Sequence, residues 1–231
     1  MAREFNKNMF VMLLAIMVGA IIVTYFVGDI VYQSNIRSLT TQHTVEVETI
    51  EGRNINFTDH FLKSSVLLDS AREDRAFGNY HFDLAFLWYQ SALSERNSSL
   101  MELYKNRTID NCTNAMPQYL NSHQNFESAK SFFNNTKKYT NYVNYTKLLD
   151  LYINLTGSGA KLAMLRYNAT IYLKQLAENL TMINGTVGYM ENVSELMDLF
   201  NKTIEDYEDE LGTYEEYQEE IDEYKFFEES R

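Results

Sequence analysis

The sequence predicts a mainly all-α protein: an N-terminal transmembrane helix, then an extracytoplasmic bundle of long antiparallel helices with coiled-coil-like seams. Three observations support this fold class. Residues 9–28 form an uncharged apolar run. The 231 residues include one Pro and nine Gly, too few turn formers for a β-sandwich. Apolar residues recur at spacings of three and four, as on the buried face of a helix.

The run at 9–28 is long enough, at about 1.5 Å per residue, to cross a hydrocarbon core of about 30 Å. Arg3 and Lys7 precede it and the next basic residue is Arg37, so the positive-inside rule places the N-terminus in the cytoplasm. No A-x-A-like cleavage site follows, which favours an uncleaved signal-anchor over a cleaved signal peptide. The predicted divisions are a leader at 1–8, a transmembrane signal-anchor in the lipid bilayer at 9–32, a stalk at 33–57, a glycosylated helical ectodomain at 58–204 and an acidic Tyr-rich helix or tail at 205–231.

N-glycosylation sequons, Asn-x-Ser/Thr, are about four times as frequent as independent placement of the 22 Asn and 32 Ser plus Thr would give. None has Pro in the middle, and all follow the predicted span. They predict N-linked glycans and an extracytoplasmic C-terminal part. The acceptors are Asn56, Asn97, Asn106, Asn111, Asn134, Asn144, Asn154, Asn168, Asn179, Asn184, Asn192 and Asn201.

The chain has a single cysteine, Cys112, which can form no intrachain disulfide. Secreted eukaryotic domains usually carry several disulfides. A glycosylated exterior without them favours an archaeal cell surface. An unpaired thiol on a helix is the favoured interpretation of Cys112, and an intermolecular disulfide is the alternative.

Residues 33–52 permit two interpretations. Thr44 to Glu48 alternate like a strand, whereas an apolar set falls at helical spacing and Gly52 could end a helix. We favour a helix. The set at helical spacing is Tyr32, Ile36, Leu39, His43, Val47 and Ile50.

Two helices are expected next, one from Thr58 as N-cap to Phe77 and one from Phe82 to about Glu95, separated by Gly78-Asn79. Gly78-Asn79-Tyr80, followed by Ala85, Tyr89 and Ala92 at small-large-small packing positions, resembles the second half of a tetratricopeptide repeat over residues 59–94. Two extra residues separate the turn from Ala85, and no second copy follows. The resemblance implies one helical hairpin and, if it extends to function, protein–protein scaffolding, but no tandem array.

Further boundaries are expected at Pro117 and at Gly157-Ser158-Gly159, with helices around 119–133 and 139–154. Two long apolar stripes follow, interrupted at Asn184-Gly185, and they predict a helix–helix seam. Gly212-Thr213 could divide the last helix. The first stripe contains Leu162, Leu165, Ala169, Tyr172, Leu176, Leu180 and Ile183; the second contains Met190, Val193, Met197, Phe200, Ile204, Tyr207, Leu211 and Tyr214.

Most of the formal charge of -12 lies after residue 204. An acidic chain of this kind argues against a nucleic-acid partner, which needs a basic face. A solvated acidic face is the favoured interpretation of the carboxylates; docking on a basic partner and weak Ca²⁺ or Mg²⁺ binding are alternatives. The weak metal candidates are Glu215, Glu216, Glu219, Glu220 and Glu223.

Motifs for catalysis are lacking: the sequence has no HExxH, GxSxG, P-loop, GxGxxG or CxxC. We therefore expect no enzyme and no cofactor. The leading hypothesis is a single-pass surface glycoprotein that serves as an accessory, structural or interaction subunit of a membrane or envelope assembly, with self-association as a further option. The alternatives are an extracytoplasmic receptor that signals through a partner and, least favoured, an envelope-acting hydrolase.

Overall fold

The computed structural model describes residues 7–224, and the side chains of residues 32–224. Helix α1 covers Lys7–Ser94, α2 covers Ser98–Thr136, α3 covers Val143–Glu178 and α4 covers Ser194–Asp222. A turn of 3-10 helix at Lys137–Tyr139 follows α2, and strands β1 (Leu180–Ile183) and β2 (Thr186–Tyr189) lie between α3 and α4. The end of the predicted tail, 225–231, lies outside the described residues.

The chain divides into two units, one up to Asn54 and one from Ile55 onward. In the first unit, residues 33–52 are helical, as favoured over a strand, but the expected end at Gly52 is wrong because α1 continues through it. Every side chain from 32 to 51 is exposed in the structure.

The predicted transmembrane element is corrected by the structure. Within the described part of the chain, no helix combines the length and the apolar character that a bilayer span requires. The described helices instead carry polar and charged side chains on their outer faces. The predicted span at 9–28 lies outside the residues whose side chains are described.

The second unit is an antiparallel four-helix bundle, which confirms the predicted helical bundle. Contacts pair the later part of each helix with the earlier part of the next, as the Trp88 ring of α1 stacks on Tyr104 of α2 at 5.5 Å and the Phe133 ring of α2 stacks on Tyr152 of α3 at 4.8 Å. Helix α4 closes the bundle, since the Phe86 and Phe200 rings stack at 6.1 Å between α1 and α4. Short connections between neighbouring helices suit this topology.

Helix α2 buries a seam that alternates steps of three and four over five heptads. The sequence predicted only a helix around 119–133 and no seam here, because several seam positions hold Thr, Ser, Cys or Ala instead of large apolar residues. The fully buried members are Met101, Thr108, Cys112, Ala115, Tyr119, Ser122, Phe126, Ala129, Phe133 and Thr136.

Two glycines that were expected to interrupt helices instead lie inside them. A Cβ on Gly78 of α1 would lie 2.7 Å from Cε1 of Tyr119, and a Cβ on Gly159 of α3 would lie 2.5 Å from Cε1 of Phe126. Each glycine lets an α2 ring reach the backbone of a neighbouring helix. The break at Gly78-Asn79 and the turn at 157–159 are therefore wrong, and residues 59–94 lie in one helix. The family resemblance itself stays a prediction.

Two other expected boundaries are also wrong. Helix α2 continues through Pro117, which is exposed and follows the buried Ala115, and α4 continues through Gly212. A proline in a helix removes one N–H donor and strains one turn. The buried residues on either side, Ala115 and Tyr119, supply packing that holds the helix across it.

The first apolar stripe ends earlier than predicted, because its last residues form a β-hairpin. Leu180 pairs with Tyr189 and Ile183 with Thr186. Asn184 and Gly185 both have positive φ, at 51° and 83°, as a two-residue hairpin turn requires. The hydroxyls of Tyr189 and Tyr89 lie 2.6 Å apart, and Lys105 donates to the Leu180 carbonyl at 2.9 Å. The hairpin is thereby fixed to α1 and α2.

The second stripe forms the buried side of α4, where Phe200, Tyr207 and Tyr214 are buried at intervals of seven. Met190 is exposed and precedes the helix. Two arginines lie against this seam: the Arg75 guanidinium is 4.3 Å from the centre of the Tyr214 ring, and that of Arg166 is 4.0 Å from the Tyr207 ring.

Gly159→Ala should lower the free energy of unfolding by about 1–3 kcal/mol, because the added methyl group would overlap the Phe126 ring and force it or the backbone to move. Gly212→Ala is the matched control: no atom lies within 4 Å of its Cβ position. Alanine there should raise the free energy of unfolding by about 0.5–1 kcal/mol. Urea denaturation measures both variants, and equal effects would contradict the ring contact.

Candidate functional site

The predicted glycan acceptors all lie at the surface of the structure. Asn111, Asn168 and Asn179 are half-buried, and the other nine acceptor asparagines are exposed. Asn184 lies at the tip of the β-hairpin, whereas most of the others lie on the outer sides of helices α2, α3 and α4. Each amide can therefore carry a sugar without displacing a core side chain.

Two acceptors also bond to backbone N–H groups at the starts of helices, and one of them, Asn97, is the N-cap of α2. Asn97 Oδ1 accepts from the Ser99 and Leu100 backbone N–H groups at 3.0 and 3.1 Å, at the start of α2. Asn192 Oδ1 accepts from the Ser194 N–H at 3.1 Å, just before α4. N-glycosylation substitutes Nδ2 and leaves Oδ1 free to accept. A glycan on Nδ2 is compatible with these Oδ1 hydrogen bonds at both positions.

The hydroxyl residues of the sequons show a different pattern. All five buried threonines among the described residues stand two positions after an acceptor asparagine. In a helix, two positions correspond to about 200°, so an exposed asparagine can place its threonine in the core, whereas Thr58 and Thr113 of two other helical sequons are exposed. None of the described threonines outside sequons is buried. The buried set is Thr108, Thr136, Thr156, Thr170 and Thr203.

Packing alone does not explain these threonines. Each donates its hydroxyl hydrogen bond to the carbonyl four residues earlier, as Thr156 does to Tyr152 at 2.7 Å and Thr203 to Leu199 at 2.7 Å. Such bonds satisfy the hydroxyl but slightly weaken a helix. Valine has the same shape and no hydroxyl to bury. Threonine differs from valine at these positions in completing an Asn-x-Thr sequon.

The outer face of α1 differs from the rest of the bundle. No sequon begins between residues 57 and 96, and this part of α1 exposes large apolar side chains. At 3.6 residues per turn they fall within about 80° of one another around the helix axis. We call this surface the α1 face; its apolar members, each more than half exposed, are Leu62, Val66, Phe77, Tyr80 and Leu87, together with Ile55, which precedes this interval beside the sequon at Asn56.

The middle of the α1 face is acidic. Asp69 and Glu73 are exposed between Val66 and Phe77, and Asp69 lies 3.8 Å from the Arg72 guanidinium. Beside Leu62 and Val66, a solvent-filled groove of about 400 Å³ reaches Phe132 of α2. Sequence reasoning missed the α1 face, although the spacing of its apolar residues and the interval without sequons were both readable.

The weak metal candidates do not form a site. The carboxylates of Glu215, Glu216, Glu219, Glu220 and Glu223 are all exposed. Among the residues that the structure describes, no three His, Cys, Asp or Glu side chains converge as metal ligands would. Two of these carboxylates line an open cleft of about 590 Å³ at the ends of α3 and α4, together with Lys147, Asp150, Leu151 and Tyr224.

Cys112 is fully buried in the seam of α2. Burial raises the pKa of its thiol to about 12, so the thiol is protonated at neutral pH and lacks the thiolate needed for reaction. This location supports the interpretation of a free thiol on a helix.

No protein family, curated protein or solved structure matches the chain.

Thr156→Val in the unglycosylated protein should leave the free energy of unfolding unchanged or raise it by up to about 1 kcal/mol, because valine fills the same space without a buried hydroxyl. Leu155→Ala, at the adjacent buried residue, is the control and should cost about 2–5 kcal/mol. Urea denaturation measures both. A loss of more than about 1 kcal/mol in Thr156→Val would show that the hydrogen bond to Tyr152, and not the sequon, explains this threonine.

Proposed function

We propose that the protein is a non-enzymatic, N-glycosylated subunit of a cell-envelope assembly, located outside the cytoplasm, and that it binds another envelope protein through the α1 face. One observation carries this proposal: eleven of the twelve sequons lie on α2, α3, α4 or their connections, while α1 has none from residue 57 to its end and exposes apolar side chains around an acidic middle. Glycans are bulky and polar. Their distribution would leave one side of the bundle open to a partner.

The buried threonines support modification of the other sides. Five core positions hold the hydroxyl residue of a sequon where valine would fit, a choice that use of the sequons would explain. Because N-glycosylation takes place outside the cytoplasm, the same observation supports the proposed compartment. With one buried cysteine and no disulfide, an archaeal surface is the favoured setting.

The α1 face indicates the chemistry of its partner. Apolar residues at both ends fit an amphipathic helix, and the acidic middle, Asp69 and Glu73, favours a partner with Lys or Arg at its centre. If two copies of the α1 face paired in an antiparallel arrangement, Asp69 and Glu73 of one copy would lie against Asp69 and Glu73 of the other. A different protein is therefore the better match.

A receptor function has less support. A ligand site in the bundle needs a pocket lined by polar groups, whereas the bundle centre is filled by rings in contact with the Gly78 and Gly159 backbones. A hydrolase would need two carboxylates converging in a cleft. The described acidic residues of α4 mostly face solvent.

Val66→Asp and Phe77→Asp should each remove the partner from the assembly, because they place a desolvated charge in an apolar contact. Mild extraction of the native envelope and mass measurement of the intact assembly give the readout. Leu103→Asp on α2, at an exposed leucine outside the α1 face, is the matched control and should retain the partner. A wild-type chain recovered as a glycosylated monomer would contradict the interaction function.

Glycopeptide mass spectrometry of the native protein should find sugars on most of the twelve acceptor asparagines. Asn184 is the strongest candidate, since it lies exposed in a hairpin turn. Unmodified asparagine at every site would exclude the proposed compartment, whatever the outcome for the α1 face.

A further inference from the structure

The first unit contains a second exposed apolar stripe, separate from the α1 face. Its spacing repeats after eleven residues, since Tyr32, Ile36 and Leu39 are followed by His43, Val47 and Ile50 at the same intervals. Each of the five apolar members is at least 46% exposed. An eleven-residue repeat keeps side chains on one side of a nearly straight helix. We call this surface the hendecad stripe.

The sequence around the stripe is a poor helix former by itself. Eight of the residues from 32 to 54 are β-branched, which lowers helix propensity. Four threonines donate to the carbonyl four residues earlier, for example Thr40 to Ile36 at 2.8 Å and Thr49 to Val45 at 2.7 Å. Isolated helices in water are marginal and gain most of their stability from packing of an apolar face. A helix here needs a partner along the hendecad stripe.

We infer that a second copy of the chain covers the hendecad stripe, as a parallel, in-register helix pair. The stripe is complementary to itself. Parallel pairing places each apolar residue against its counterpart and His43 against the second copy's His43. Antiparallel pairing about the centre of the stripe would instead bring Leu39 against His43 twice. Apolar matching therefore favours the parallel arrangement.

Charge and sugar distribution permit this pair. Residues 32–54 contain Arg37 and Arg53 against Glu46, Glu48 and Glu51, so two copies repel each other little. A parallel pair brings Glu46 towards the second copy's Glu51, but exposed charge pairs contribute little. The first sequon is at Asn56, and hence no predicted glycan lies between the helices.

The size of the contact is sufficient. Burying about 100 Å² from each of the five apolar side chains on both helices would remove about 1,000 Å² from water, near the lower limit for a specific interface. The inference rests on residues 32–54 alone and does not depend on the partner proposed for the α1 face.

Single cysteine variants of the full chain test the pair. Leu39→Cys and Ile50→Cys should give disulfide-linked dimers under mild oxidation, because seam positions of a parallel pair bring their own Cβ atoms within disulfide reach. Thr41→Cys, two residues away on the opposite side of the helix, is the matched control and should stay monomeric on denaturing gels. The native Cys112 is buried and should not cross-link, and its unreactive thiol in each variant shows that the bundle is folded.

Mass measurement in solution supplies the second readout. The wild-type chain should have twice the mass of a monomer, Leu39→Asp should have the monomer mass, and His43→Leu should dimerise at lower concentration than the wild type. A monomeric wild type would overturn the inference, as would equal cross-linking of Leu39→Cys and Thr41→Cys. If cross-links formed only when Ile36→Cys and Val47→Cys chains were mixed, the two helices would pair in an antiparallel arrangement. That result would overturn the parallel pair.

Discussion

The bundle depends on the contact of two α2 rings with the backbones of the neighbouring helices. Tyr119 lies against Gly78 of α1, and Phe126 lies against Gly159 of α3, with ring carbons closer than a Cβ would allow. The rings are seven residues apart, and α2 therefore binds both neighbours through one face. The Tyr119 hydroxyl also donates to Asn79 Oδ1 at 2.9 Å, while burial raises the pKa of Tyr119 above its usual range. Because these contacts set how closely the helices approach, the seams of α3 and α4 can pack only around them.

These glycines also show which helix boundaries could not be predicted from the sequence. Glycine lowers helix propensity, so a break was the natural prediction at Gly78, but the tertiary contact with Tyr119 outweighs that local preference. The α4 seam was predictable because Phe200, Tyr207 and Tyr214 are large and regularly spaced. Most of the α2 seam was not, since Thr108 looks like a surface residue until its place in the heptad is known.

The threonines connect the proposed modification to packing. Where a helical sequon has an exposed asparagine, its threonine lies about 200° away around the helix axis and can fall on the buried side. Asn106 with Thr108 and Asn154 with Thr156 both follow this rule. Sequons consequently restrict core composition on α2, α3 and α4, whereas α1 between 57 and 96 is free of this restriction. There the core positions Ala85, Tyr89 and Ala92 are buried without belonging to any sequon.

The acidic character of α4 has a structural reason that does not involve a metal. Arg75 and Arg166 lie over the inward rings of Tyr214 and Tyr207, and neither forms an ion pair within the described residues. A half-buried guanidinium loses hydration, which costs free energy. Cation–π attraction to the ring faces offsets part of that desolvation cost. Lys202 is the single basic residue of α4, so the field of its many carboxylates is attractive at both guanidinium groups. The carboxylates can thus remain exposed and hydrated while their summed charge stabilises two cations inside the bundle, and this favours an acidic α4 even where no ligand binds.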